Sequence, residues 1–161
     1  MADCEPLRHG RRVVIGIGNA DRGADGVGRW ATRLLRASVP EDVRVIECPG
    51  EATDVLEHLQ AADVAYLVDA AVSGAPVGTI RRFDCVAGAL PQNALQVSTH
   101  GFGPGEAIEL ARALGRLPRA CVVYAIEADS VGAGEGLSAA LQRAAEQVAA
   151  RVAAELSAEQ P

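Results

Sequence analysis

Val13-Val14-Ile15-Gly16-Ile17-Gly18 is a β-branched run that closes on glycines, and it reads as a buried strand. Beyond the loop that follows, Val27, Trp30, Ala31, Leu34 and Leu35 recur at i, i+3, i+4, i+7 and i+8, the spacing of a helix stripe. Strand, loop and helix then alternate along the chain. Val43 to Ile46 predicts a second strand, and Val55, Leu56 and Leu59 a short helix after Thr53 or Asp54. Val64 to Val68 predicts a third strand ending at Asp69, and Thr79 to Phe83 a fourth after the Gly74 to Gly78 turn. Ala107, Ile108, Ala111 and Leu114 mark a helix ending near Gly115 and Pro118. Cys121 to Ile126 predicts a fifth strand, and Leu137, Leu141, Ala144, Val148, Val152 and Leu156 a long last helix. Such alternation specifies an α/β fold with a mostly parallel sheet covered on both faces. In open sheets of this kind the functional crevice lies outside the carboxyl ends of the strands.

Composition narrows the functional classes. The 161 residues suit one domain spanning 1–161, with 1–10 and 157–161 expected as frayed tails. Hydrophobic residues make up 49% but aromatics only 3%, so the core is expected to be aliphatic. The net charge is −6 and every basic side chain except histidine is Arg, without a basic cluster. Nucleic-acid binding and attachment to an acidic membrane surface are disfavoured on that ground. No apolar run reaches the roughly 18 to 20 residues that span a bilayer. The polar Met1 to Gly10 stretch has no apolar core, so no signal peptide and a cytoplasmic location are expected. Cys4, Cys48, Cys85 and Cys121 form no C-x-x-C pair; Cys85 and Cys121 read as buried small residues.

Three residues stand out. Asp25 sits where the first loop meets the first helix, as an N-cap or as a functional acid. Asp69 follows an apolar strand at the predicted carboxyl edge, as a functional carboxylate or as an acceptor for the next turn. His100, in Ser98-Thr99-His100, precedes a helix at the same edge, whereas His9 lies in the tail and His58 on an expected exposed helix face. Two carboxylates and an imidazole form a plausible ligand set for a divalent ion such as nickel, zinc or manganese. Glu127 and Asp129 follow the fifth strand as supporting partners of the site or as helix-proximal acids. The first loop starts like a dinucleotide fingerprint, but Asp21 stands in place of the third glycine and would repel a pyrophosphate. No Gly-x-Ser-x-Gly elbow occurs, which disfavours a serine nucleophile.

These residues resemble the hydrogenase maturation endopeptidases. The loop Gly16-Ile17-Gly18-Asn19 through Arg22-Gly23-Ala24-Asp25-Gly26-Val27-Gly28 is similar to that family's glycine- and acid-rich opening. Leu67-Val68-Asp69-Ala70, Ser98-Thr99-His100, and Ile126-Glu127 through Gly134-Glu135-Gly136-Leu137-Ser138 follow in the family's order. The resemblance implies a three-layer α/β/α, phosphorylase/hydrolase-like domain with a five-stranded twisted sheet. It implies an endopeptidase that removes a C-terminal peptide from the large-subunit precursor of a nickel-iron hydrogenase. It places catalysis and metal contact on Asp25, Asp69 and His100, with nickel recognised in the precursor and not held permanently. It departs from the family at Ala24, where an acid is usual, and at Asp21, where a hydrophobic residue is common. A non-cleaving nickel-checkpoint or precursor-binding module, and a small-substrate metallohydrolase, are the alternatives. A monomer is expected.

Overall fold

The computed structural model describes residues 11–18, 26–92, 94–95, 103–129 and 136–158. Their elements run β1 (Arg12–Ile17), α1 (Val27–Leu35), β2 (Val43–Cys48), α2 (Ala52–Gln60), β3 (Val64–Ala71), β4 (Ile80–Asp84), α3 (Pro104–Ala113), β5 (Ala120–Glu127) and α4 (Ala139–Ala158). The sheet order is β2-β1-β3-β5-β4. The first four strands in that order are parallel, and β4 returns antiparallel to β5 at one edge. The expected mostly parallel, five-stranded α/β sheet is therefore present.

Two apolar clusters separate on side-chain parity along the strands. Val14, Tyr66, Val68, Tyr124 and Ile126 face one side, where α1 and α4 pack together. Val13, Ile15, Leu67, Val123 and Ala125 face the other, beneath α2 and α3. Parallel strands covered on both faces read as continuous apolar runs, which is why β1, β3 and β5 were legible. At the far end of β1 the Arg12 guanidinium is buried. It donates to both Asp42 carboxylate oxygens and, at 2.8 Å, to the Leu156 carbonyl, tying β1 to the end of α4.

Two boundaries differ from the sequence reading. The third strand does not end at Asp69: Asp69, Ala70 and Ala71 pair with Ala125, Ile126 and Glu127. A carboxylate can sit inside a strand when its Cβ points to a site, and the ladder on the β5 side continues past it. The second helix starts at Ala52 behind Glu51, ahead of Thr53. The end of α3 falls as expected. Gly115 takes φ +67°, with Arg116 N–H donating to the Ala111 carbonyl and Gly115 N–H to that of Arg112, a Schellman cap.

The buried face of α1 is also shifted. Val27, Ala31 and Leu35 are buried as expected, but Trp30 and Leu34 are exposed, and Gly28 and Thr32 take their place. A Cβ on Gly16 would lie 2.5 Å from Thr32 and 2.6 Å from the Gly28 carbonyl. A Cβ on Gly28 would lie 2.3 Å from the Val68 carbonyl and 2.5 Å from that of Ile17. The helix rests its backbone directly on the sheet there, and this rotates the larger side chains outward. Among the described residues no helix is long and apolar enough to cross a membrane.

Candidate active site

The chain leaves β1 to build β2 on one side, then crosses to build β3 on the other. The β1–β3 boundary is thus the topological switch point, where the flanking loops diverge and leave a crevice. Asp69 lies on β3 at that boundary, one residue beyond the Gly16–Val68 pair. By strand parity it shares the α2/α3 face with Leu67, Ala71 and Ala125. It is one of four buried polar or charged residues among those described, at 6% exposure. Its Oδ1 accepts the Ala70 N–H at 2.7 Å, which holds the carboxylate orientation. The bland sequence reading, an acceptor for a following turn, is thus half met: the donor is the next amide, but no turn starts there.

The surroundings of Asp69 are acidic and tightly built. Burial pushes the Cys48 thiol up, and the carboxylates of Asp54, Glu51 and Asp69 push it further. Gly50, at φ +95°, brings the chain after β2 so close that a Cβ would meet Ile17 at 2.9 Å and Pro104 at 3.9 Å. Pro104 is the first residue of α3, and Gly103 before it is capped by the Glu106 carboxylate at 2.9 Å. The N-terminus of α3 therefore meets the carboxyl end of β1.

Asp25 and His100 lie outside the described residues. What the structure fixes is where the chain on their far sides goes. The N-cap of α1 is Gly26, which immediately follows Asp25 and has no side chain of its own to cap with. His100 precedes Gly103 by three residues. Gly26 and Gly103 both lie at the carboxyl edge that holds Asp69. As an oriented, buried carboxylate, Asp69 has the donor chemistry of a divalent-ion contact. Among the described residues no group of three His, Cys, Asp or Glu side chains gathers into a metal cluster.

Glu127 has a job that neither sequence reading named. Its buried carboxylate accepts the Ser73 N–H at 2.6 Å, the Ser73 hydroxyl at 2.8 Å and the Gly74 N–H at 3.0 Å. It clamps the turn between β3 and β4. Burial opposes its ionisation, but Ser73, Gly74 and Arg81 outweigh that and hold its carboxyl below the ordinary 4.5. A lowered carboxyl stabilises the fold fully above the unfolded value, and that contribution is lost as pH falls through the folded one. Glu127→Gln should therefore melt lower than the parent at neutral pH, with the gap narrowing below about pH 4.5. Melting curves from pH 7 to pH 3 check this, and a constant gap would mean the carboxylate is not the linked group. Asp129 is exposed.

Arg81, which sequence reasoning did not single out, lies on β4 opposite Ala125 of β5, in the same row as Asp69. Only the register of an antiparallel edge strand reveals this, and no local motif carries it.

Comparison with known proteins adds to this geometry. The family model described as hydrogenase maturation protease, HycI, matches residues 29–155, a span that holds Asp69 and His100. No curated protein matches the chain in sequence. Among solved structures, the hydrogenase maturating endopeptidase HybD from E. coli shares the fold with TM-score 0.73 at 20% identity, over 91% of this chain and 92% of that one. The [NiFe] hydrogenase maturation protease HycI from Thermococcus kodakarensis KOD1 matches with TM-score 0.69 at 27% identity, over 93% and 95%. A hydrogenase 2 maturation peptidase from a Thaumarchaeota archaeon matches with TM-score 0.65 at 23% identity, over 92% and 99%. Since the family model spans well over half of its length, the chain belongs to the hydrogenase maturation protease family.

Proposed function

We propose that this chain is an endopeptidase that removes a C-terminal peptide from the nickel-loaded large-subunit precursor of a nickel-iron hydrogenase. The observation that carries the reading is Asp69, a buried, oriented carboxylate at the switch point of a sheet with this family's fold. Family membership and the order of the Asp25, Asp69 and His100 segments support it. In this reading those three side chains contact nickel that arrives in the precursor, so the metal is part of the substrate. Metal contact positions the scissile segment, and one carboxylate takes a proton from the attacking water. The protein acts in the cytoplasm as a monomer, without nucleic acid or membrane.

Ala24 favours a second reading, a nickel-checkpoint module that binds the precursor without cutting it. It stands where the family resemblance places an acid. One experiment separates the two: the intact mass of the host's large subunit with the gene present and deleted. A heavier, nickel-containing, uncut subunit in the deletion strain is the expected result. Equal masses in both strains would sink the endopeptidase reading and leave the checkpoint.

A further inference from the structure

We propose that the outward face of α1, built on Trp30, Leu34, Arg33 and Arg36, is a docking surface for an acidic segment of the hydrogenase precursor that carries an apolar side chain. This rests on the endopeptidase reading and names where the body of that substrate is held.

At about 100° per residue, α1 divides into two arcs. Val27, Gly28, Ala31, Thr32 and Leu35 fill the buried one. Arg29, Trp30, Arg33, Leu34 and Arg36 fall on the other. Trp30 is 40% exposed and Leu34 37%, one turn apart on the same side of that arc. They stand there because Gly28 and Thr32 hold the helix backbone on the sheet. Trp30 is the only tryptophan of the chain. A solvent-facing tryptophan beside a leucine and exposed arginines has the composition of an interface centre.

The arginines supply the charge. Arg29, Arg33 and Arg36 make no basic run in the sequence, but the helix turns all three toward one carboxylate, Glu47 of β2. Arg33 Nε donates to Glu47 at 2.7 Å, and Arg29 Nη2 lies 3.5 Å from it. Burial opposes ionisation of Glu47, but the Arg33 hydrogen bond and the charges of Arg33, Arg29 and Arg36 outweigh that and hold its carboxyl below the ordinary 4.5. Three guanidiniums against one carboxylate leave two positive charges in excess, on a chain whose net charge is −6. The complement of this face is an apolar side chain flanked by carboxylates.

The position of the face selects the partner. Arg29 Nη1 donates to the Gly18 carbonyl at 3.4 Å, so the basic side begins at the carboxyl end of β1. Trp30 comes four residues after Gly26, about 6 Å along the helix axis. Asp69 faces the other side of the sheet, so a protein with one segment held there reaches α1 across the carboxyl edge. A second copy of this chain would bring Arg33 and Arg36 against themselves across a two-fold axis. Two apolar side chains bury too little area to hold the chain on a membrane.

The test labels the parent with 5-fluorotryptophan, which places one fluorine resonance at Trp30, and adds the host's nickel-loaded precursor. The resonance should shift on binding. By titration calorimetry, Trp30→Ala should weaken precursor binding about tenfold or more, and so should Arg33→Gln combined with Arg36→Gln. Arg116→Gln combined with Arg119→Gln, an equal change of charge at exposed positions after α3, should stay within about twofold of the parent. In cleavage the losses should fall on KM, with kcat nearly unchanged. Should the Arg33 and Arg36 pair fail to fold, the fluorine shift and Trp30→Ala decide. An unmoved resonance at saturating precursor overturns the proposal. So does equal weakening by the two arginine pairs, or weakening that only tracks a fall in melting temperature. A resonance that moves with the concentration of this chain alone, or with phosphatidylglycerol vesicles and not with precursor, assigns the face to a second copy or to a membrane and overturns it too. A parent that binds through Trp30 without cutting sinks the endopeptidase reading and leaves the docking face. One that cuts with the Trp30 resonance unmoved does the reverse.

Discussion

Asp69→Asn is expected to leave the hydrogenase large-subunit precursor uncut, with the protein still folded. The two side chains have the same shape, and the asparagine Oδ1 can still accept the Ala70 N–H that now meets Asp69 at 2.7 Å. What is lost is the negative charge. If that carboxylate contacts nickel or takes a proton from water, the processing rate should fall by about a hundredfold or more. The melting temperature should move little, and in either direction, since a buried carboxylate is costly to desolvate. Intact-mass analysis of the large subunit with the variant as sole copy reads the rate. Processing at the parental rate would remove Asp69 from the site, and so would a variant lost to aggregation, because the residue would then be structural.

The strands were legible because a parallel sheet buries both of its faces. Val13 to Ile17, Val64 to Val68 and Cys121 to Ile126 are near-continuous apolar runs that few other environments require. Asp69 was legible for the complementary reason: a charge directly after such a run needs an explanation, and the carboxyl edge supplies one. Its exact setting was not legible. The charge reads as a strand end, yet Ala70 and Ala71 continue the ladder because β5 runs alongside to Glu127.

The errors share a physical origin in contacts that sequence patterns do not score. A helix stripe is found by where large apolar residues recur. On α1 the deciding residues are Gly28 and Thr32, whose small size lets the backbone touch Gly16, Ile17 and Val68. Trp30 and Leu34 were assigned inward by spacing and turn outward by that contact. Glu127 was left between two roles because its partners, Ser73 and Gly74, lie more than fifty residues earlier and reach it through the β3–β5 pairing that ends at Ala71 and Glu127. The place of Arg81 depends on the register of the antiparallel β4 edge. The placements of Asp25 and His100 still rest on the order of their motifs, anchored by Gly26 at the start of α1 and Gly103 at the start of α3.

That contact makes Gly28 the position where one added methyl group should do most harm to the fold. A Cβ there would stand 2.3 Å from the Val68 carbonyl oxygen, 2.5 Å from that of Ile17 and 3.0 Å from the Ile17 nitrogen. All three are backbone atoms of the two central strands, so no side-chain rotation relieves the clash. The start of α1 must lift from the sheet, loosening Val27 and Ala31 against Val14, Tyr66 and Val68. Gly28→Ala should cost about 3 kcal/mol, at the upper end for overpacking. In a chain of this size that lowers the melting temperature by about 6 to 12 °C. Gly105→Ala is the control, because Gly105 lies on α3 with nothing within 4 Å of the added Cβ. There the usual helix preference for Ala should leave stability unchanged or raised by up to about 1 kcal/mol. Processing should fall with Gly28→Ala and not with Gly105→Ala, since only Gly26 and Val27 join Asp25 to the displaced turn. Equal melting temperatures for the two variants would show that α1 can retreat freely, and the close helix–sheet approach would lose its role in setting the site.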